Sequence, residues 1–225
     1  MQIKILKSIL SANEAIASRN REQLDKHGIL TINIMSSAGA GKTSLVLQTI
    51  HQLKPEMKVA VIEGDVASSI DADKVSQQGA PVVQINTDGG CHLEANMIEN
   101  ALNNLSLDGI DLLLIENVGN LICPAEFTLG EHRKIMLLST PEGDDKPYKY
   151  PLMFTEADLV LVNKVDLLPY LNFNIGAFNK AVTGLNPDVK IFPISCKTGE
   201  GLEAWFYWLK NEIKQIKSHQ AGEEE

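Results

Sequence analysis

Short apolar runs alternate with longer mixed stretches along most of this chain. The runs are Ile29–Met35, Val59–Ile62, Pro81–Ile85, Asp111–Ile115, Lys134–Leu138, Asp158–Val162 and Val189–Ile194. Most are too short to be buried helices, and several are rich in Val and Ile with little polar alternation. That pattern predicts strands covered on both faces. Between them, stretches near 43–54, 92–105, 172–183 and 201–216 read as helices. Residues 1–27 also read as an amphipathic helix, with Ile5, Ile9, Ala12 and Ile16 near helical spacing and Gly28 as the stop. The alternation predicts an α/β fold with a mostly parallel central sheet flanked by helices. No repeat or linker interrupts 29–216. The expected organisation is a helical segment over 1–27, one domain over 28–216 and a frayed acidic tail over 217–225.

Composition narrows the function classes. A hydrophobic content of 44% over 225 residues supports a sizeable core. The net charge of -9 disfavours nonspecific nucleic-acid binding. Three cysteines are too few and too odd a set for a disulfide framework and suit a reducing cytosol. No apolar stretch is long enough for a membrane span, and no signal peptide is evident.

The chemistry concentrates where predicted strands end. Residues 36–43 read SSAGAGKT between the first strand and the helix after it, the context that makes a phosphate loop of the P-loop NTPase kind credible. Ser36 stands where the usual pattern has its first glycine, and Gly39 supplies flexibility nearer the phosphates. Gly39, Ala40, Gly41, Lys42, Thr43 and Ser44 form the expected phosphate-binding stretch. Backbone amides and the helix N-terminus face the phosphates, Lys42 reaches the β- and γ-phosphates, and the Thr43 hydroxyl faces Mg²⁺. Asp65, just past a strand end, is a candidate Mg²⁺ ligand. Asp71 and Asp73 follow it, as a water or ion partner or as helix N-terminal charge. Glu116 ends the strand DLLLIE and is a second Mg²⁺ candidate, and Gly119 offers an N–H to the γ-phosphate. Asn163, Lys164 and Asp166 form N-K-x-D. A carboxylate at Asp166 accepts from guanine N1 and N2, a donor pair that adenine lacks. Ser195, Cys196 and Lys197 follow the last strand and complete the base loop, which favours GTP over ATP.

A soft-ligand set stands beside these motifs. Cys91 and His92 follow Gly89-Gly90 and open a predicted helix, and Cys123 lies four residues past Gly119. Thiolate and imidazole together suit Zn²⁺ or Ni²⁺, with a fourth ligand from water or a second subunit. Cysteines are also common as buried apolar packing, and the residues alone leave both readings open. Cys196 reads as structural, and His27, His51, His132 and His219 as ordinary surface or packing residues.

Taken in order, SSAGAGKTS, IEGDVASSIDAD, GGCHL, ENVGNLICP, LLSTPEGDDKPYKYP, LVNKVDLLPY and SCKTGEG resemble the hydrogenase nickel-incorporation GTPases, the HypB family of metallochaperones. The resemblance covers nearly the whole chain. It implies a GTPase that dimerises on nucleotide binding, cycles GTP to GDP and phosphate, and is related to signal-recognition and MinD-type enzymes. Lys42, Asp65 and Glu116 then match the catalytic and Mg²⁺ residues. Cys91, His92 and Cys123 match a nickel or zinc site near the dimer interface. The resemblance further implies a homodimer in the cytoplasm, serving the machinery that matures the hydrogenase large subunit. A small zinc-containing nickel-chaperone partner would dock on residues 1–27, whose amphipathicity also suits simple packing on the domain. Two features of some members are missing: an N-terminal CxxCGC motif and a histidine-rich storage tract. Nickel storage is therefore not expected. No histidine or glutamine stands out as a general base, which leaves a water held by Asp65 or another switch carboxylate. Competing readings are a regulatory GTPase whose metal only controls dimerisation, and a urease-type nickel chaperone. The GDDKPYKYP segment and the Cys91-His92 plus Cys123 pattern favour the hydrogenase type by resemblance.

Overall fold

A computed structural model describes residues 2–66 and 70–223. The middle of IEGDVASSIDAD and the last two glutamates fall outside the described residues, as do the side chains of Ile5 and Ile9. The chain order is α1 (Gln2–Lys26), β1 (Leu30–Ser36), α2 (Lys42–Leu53), β2 (Val59–Asp65), α3 (Ile70–Gln77), β3 (Val82–Asn86), α4 (Ala95–Asn103) and β4 (Leu112–Glu116). Then come α5 (Cys123–Glu126), β5 (Arg133–Ser139), α6 (Lys146–Lys149), α7 (Pro151–Thr155), β6 (Leu159–Asn163), α8 (Ile175–Leu185), β7 (Lys190–Pro193) and α9 (Leu202–Glu223). Two 3₁₀ turns lie at Thr140–Glu142 and Val165–Tyr170.

All seven apolar runs form strands of one parallel sheet, ordered β3-β2-β4-β1-β5-β6-β7. Strands β1, β4 and β6 are buried along their whole length, as continuous apolar runs in a sheet covered on both faces should be. One core layer lies between the sheet and α2 and α9, where Trp205 is fully buried and its indole N–H donates to Thr49 Oγ1 at 2.9 Å. On other parts of the sheet, Leu24 of α1 and Ile98 of α4 join one apolar cluster, and Met153 of α7 and Phe178 of α8 join another.

The structure changes four expectations. Helix α4 begins at Ala95, so Cys91 and His92 stand in the turn before it. That turn is closed by Gly90 N–H donating to Thr87 O, with Asp88 and Gly89 at positive φ. Strand β2 runs on to Asp65, pairing with β3 as far as Asn86. Helix α9 continues past residue 216 to Glu223, held by Lys217 on Asp111 and by Gln220 Nε2 donating to Lys26 O at 3.0 Å. Finally, the stripe that α1 buries is Asn13, Ala17, Asn20 and Leu24, while Ala12 is exposed. A polar residue occupies that face because its amide finds backbone partners, a property that apolar periodicity does not register. Among the described residues, no helix is long and apolar enough to cross a membrane.

Candidate functional site

Parallel strands deliver their C-terminal ends to one edge of the sheet, where open α/β folds carry ligands. Here β1, β2, β4 and β6 end around a cleft of ≈ 430 Å³ lined by Ala38–Gly39, Gly41–Ser44, Glu63–Asp65, Asp71, Glu116, Asn117, Gly119 and Lys164. The loop after β1 is shaped by Gly39 at φ 76° and Gly41 at φ 106°. A Cβ on Gly41 would lie 2.4 Å from Asn163 Nδ2, so only glycine fits there. Lys42 is nearly buried, with Nζ donating to Ser36 Oγ at 3.0 Å. That contact gives the departure from the usual glycine at position 36 a local purpose.

Thr43 Oγ1 donates to Glu116 Oε1 at 2.9 Å. Ligand oxygens of Glu63, Asp71 and Glu116 lie within 4.8 Å of one another. Glu63 and Glu116 are direct cross-strand partners of β2 and β4. Each keeps one buried carboxyl oxygen without a hydrogen-bond partner. Burial first, then the Glu116 and Asp71 carboxylates, push Glu63 up to about 10. Burial also raises Glu116, against the pull of Lys42. A hydroxyl, clustered carboxyls and orphaned buried oxygens are the donor set a hard divalent cation such as Mg²⁺ takes. Asp65 lines the same cleft, but its Oδ1 accepts from the amide of Val66 at 2.5 Å and it stands outside this carboxyl cluster. Asp73 is exposed on the first turn of α3. Glu63 is the site residue that the sequence reading passed over. Its signal lies in strand register, since β4 ends at Glu116 directly opposite it.

The base loop is preorganised. Asn163 Nδ2 donates to Ala40 O at 2.9 Å, and its Oδ1 accepts from the amides of Lys164 and Cys196. Lys164 sits at φ 63° and reaches Gly39 O at 2.7 Å. Ser195 Oγ donates to Asp166 Oδ1 at 2.6 Å and accepts from Thr198 N. One Asp166 oxygen is thereby fixed in place, which orients the carboxylate toward a pair of adjacent donors. Cys196 is buried, and burial pushes its thiol up to about 12, which suits packing rather than metal binding. The Cys196 amide already serves Asn163, so within SCK the free backbone donor toward a base oxygen is not that one.

The soft ligands converge. Cys91 Sγ lies 3.2 Å from Cys123 Sγ and 3.5 Å from His92 Nδ1. Two loops bring them together: Asn120 Nδ2 donates to Cys91 O, and Asn120 Oδ1 accepts from Ile122 N. The His92 ring stacks on Phe127 with centroids 4.1 Å apart. Its Nε2 is buried without a hydrogen-bond partner, and Glu94 Oε1 is 3.7 Å away. Burial lowers the pKa of His92, and the hydrogen bond with Cys91 raises that of Cys123. Two sulfurs and one imidazole nitrogen form a three-point soft set at an exposed edge, open for a fourth ligand. Gly119 ties this set to the phosphate loop: a Cβ there would lie 2.7 Å from Ala38 N.

Comparisons with known proteins bear on the family and the fold. The family model described as "CobW/HypB/UreG, nucleotide-binding domain" matches residues 30–193. The hydrogenase maturation factor HypB of Rhizobium leguminosarum bv. viciae is 47% identical over 208 residues, covering 92% of this chain and 70% of that protein. The probable hydrogenase maturation factor HypB of Methanocaldococcus jannaschii is 42% identical over 215 residues, covering 96% of this chain and 97% of that one. Among solved structures, HypB from Helicobacter pylori in complex with nickel aligns with a TM-score of 0.86 at 39% identity, covering 91% of this chain and 96% of that one.

Proposed function

The chain belongs to the CobW/HypB/UreG nucleotide-binding family, and from that premise we propose that it is a GTP-hydrolysing nickel metallochaperone for the maturation of nickel-iron hydrogenase. The observation that carries the reading is the soft triad of Cys91, His92 and Cys123, one short segment away from the phosphate-facing Glu116 and Gly119.

GTP enters with its phosphates on the Gly39–Ser44 amides, Lys42 on the β- and γ-oxygens and guanine on Asp166, with Ser195 holding that carboxylate. Thr43 and Glu116, with Glu63 and Asp71 behind them, would hold Mg²⁺, which would supply positive charge to the phosphate oxygens. Asp65 and the cluster carboxyls orient the attacking water. The cargo Ni²⁺ is taken by the two sulfurs and His92 Nδ1, with water or a second copy of the chain giving a fourth ligand; Zn²⁺ suits the same donors. Loss of the γ-phosphate would remove the acceptor of the Gly119 N–H. Cys123 follows on the same segment, so ligand geometry changes with nucleotide state. A small zinc-containing partner on residues 1–27 and a cytoplasmic homodimer complete the proposal. The exposure of Cys91 favours a second reading, a regulatory GTPase whose metal only joins two copies.

Titration of Ni²⁺ into the GDP-bound and the GTP-analogue-bound protein tests the reading, with oligomeric state followed in parallel. The expected outcome is a nucleotide-dependent affinity. Equal affinities with unchanged oligomeric state would sink it, whereas a change in oligomer without a change in affinity selects the regulatory reading.

A further inference from the structure

A ring of buried side-chain hydrogen bonds, closed through the Leu93–Ala95 backbone, grips the chain just after the turn that carries Cys91 and His92. Asn117 follows Glu116 directly, and its Oδ1 accepts from Leu93 N at 3.2 Å and Val118 N at 2.9 Å. Its Nδ2 donates to Asn33 Oδ1 at 3.1 Å, and Asn33 Nδ2 donates to Glu131 Oε1 at 3.3 Å. Glu131 Oε2 accepts from Leu129 N at 2.6 Å, and Leu129 O accepts from Asn20 Nδ2 at 3.0 Å. Asn20 Nδ2 also donates to Ala95 O at 2.8 Å, two residues beyond Leu93, which closes the ring. Asn13, about two helical turns earlier on α1, accepts from Ala95 N at 2.8 Å and donates to Thr128 O at 2.7 Å. Asn13, Asn20, Asn33, Asn117 and Glu131 are all buried.

Asn33, Asn117 and Glu131 hydrogen-bond to one another, and Asn13, Asn20, Asn117 and Glu131 hydrogen-bond to backbone, and buried polar groups of this kind are costly to leave half-satisfied. The ring's members come from α1, β1, the end of β4 and the loop before β5. What it grips is the Leu93–Ala95 stretch, the backbone immediately after the two metal ligands. Apolar packing would hold α1 equally well. Asparagine at two helical positions instead gives directional contact with the very residues that set where His92 points, its ring resting on Phe127 next to Thr128.

We propose that this ring is the positioning device for the Cys91–His92 turn. Asn117 links it to the phosphate end of the cleft, and Asn13 and Asn20 make α1 a control lever on metal affinity. The inference rests on the nickel reading above and adds a route to it. The segment 116–123 moves Cys123, while Asn117 moves the opposite pair of ligands. A partner that grips α1 shifts the same turn without touching the metal.

The test uses the full chain with Ni²⁺ alone as probe, in GDP and in a nonhydrolysable GTP analogue, for the parent, Asn117→Ala and Asn13→Ala. Amide hydrogen exchange at Leu93 and Ala95 is followed without metal. In the parent, the affinity ratio between nucleotide states is expected to be roughly five-fold or more, the lower range of coupling between two sites. Both variants bring that ratio to about one, and exchange quickens at Leu93 in Asn117→Ala and at Ala95 in Asn13→Ala. Guanine-nucleotide affinity stays unchanged in Asn13→Ala, which lies outside the cleft. If Asn117→Ala fails to fold, Asn13→Ala decides alone. Variants that keep the parent's ratio overturn the ring's role while leaving the nickel reading standing. A parent with no nucleotide dependence overturns both.

Discussion

Gly119→Ala isolates the contact through which the loop after β1 and the segment leading to Cys123 touch. Gly119 is not among the positive-φ glycines, so alanine carries no backbone penalty there and the effect is steric alone. The added methyl would lie 2.7 Å from Ala38 N, 2.8 Å from Ala38 Cα and 3.1 Å from Ala38 Cβ. Two of those three are backbone atoms of the phosphate loop, which cannot rotate aside as a flexible side chain does. Relief needs a separation of several tenths of an ångström between the two segments. Overpacking of this kind costs about 1–3 kcal/mol. For a domain of this size that corresponds to a Tm lower by roughly 2–12 °C. The same displacement carries Ala38 away from the phosphates and Cys123 away from Cys91. Thermal unfolding of the nucleotide-free protein, fluorescent-GDP affinity and Ni²⁺ affinity are the three measurements, and all three are expected to fall together. Gly39→Ala is the control: its φ of 76° makes alanine strained, but nothing lies within 4 Å of the new methyl. Gly39→Ala therefore weakens stability and nucleotide binding while sparing Ni²⁺. An unchanged Tm and unchanged affinities in Gly119→Ala would refute the close approach. A nucleotide loss without a Ni²⁺ loss would refute the mechanical link.

Two further outcomes follow from single side chains. Glu94→Gln removes the carboxylate nearest to the orphaned Nε2 of His92 and should weaken Ni²⁺ binding by roughly ten-fold, the lower range for an outer-shell partner; an unaltered isotherm would exclude Glu94 as the group that orients the ring. His132 accepts from Thr31 N through Nδ1 and donates to Asp25 through Nε2, with Arg21 and Arg133 nearby, and burial holds its pKa below the usual value. A depressed folded-state pKa means that the unfolded chain takes the proton first as pH falls below about 6.5. The stability margin of the parent over His132→Gln should therefore shrink from about pH 7.5 to 5, and parallel Tm curves would contradict the assignment.

The seven strands were legible because a parallel sheet covered on both faces leaves one-dimensional apolar runs. The nucleotide motifs were legible for a similar reason: each occupies a few consecutive residues at a strand end. What escaped depends on pairs distant in sequence. Glu63 and Asp65 are two residues apart on one strand, and nothing local separates them as cation ligands. Register does: β4 ends at Glu116 opposite Glu63, whereas Asp65 pairs with Asn86 of β3 and extends beyond that end. The start of α4 escaped likewise, since the Ala95 amide is taken by Asn13 of α1, far away along the chain. Helix α5 has only four residues, and the burial of Pro124 and Ala125 rather than periodicity supports it. On α1 the apolar spacing pointed to Ala12, and the buried stripe proved to carry Asn13 and Asn20. The conflict between local pattern and tertiary face falls on residues that grip the stretch just after Cys91 and His92, where such conflicts are expected to mark function.

The two candidate cation sites have the same electrostatic problem at opposite ends of one segment. Glu63 and Glu116 are neighbouring buried acids whose pKa values both rise. Cys91 and Cys123 are neighbouring thiols, and the contact between them raises Cys123. In each pair, full ionisation requires a nearby positive charge to offset the repulsion. A hard cation with phosphate oxygens answers the first need, and a soft cation answers the second. The chain from Glu116 through Asn117 and Gly119 to Cys123 spans both, and along it Asn117 holds the Cys91–His92 turn while Gly119 touches the phosphate loop. On the proposed function, each cation would contact a segment that the other also contacts. If both sites prefer the same arrangement, nucleotide with Mg²⁺ raises Ni²⁺ affinity. If they prefer different ones, it lowers Ni²⁺ affinity, and by linkage Ni²⁺ changes nucleotide affinity by the same factor. A transfer protein needs the second case in one nucleotide state and the first in the other, which a segment with two packed positions supplies and a continuously flexible loop does not.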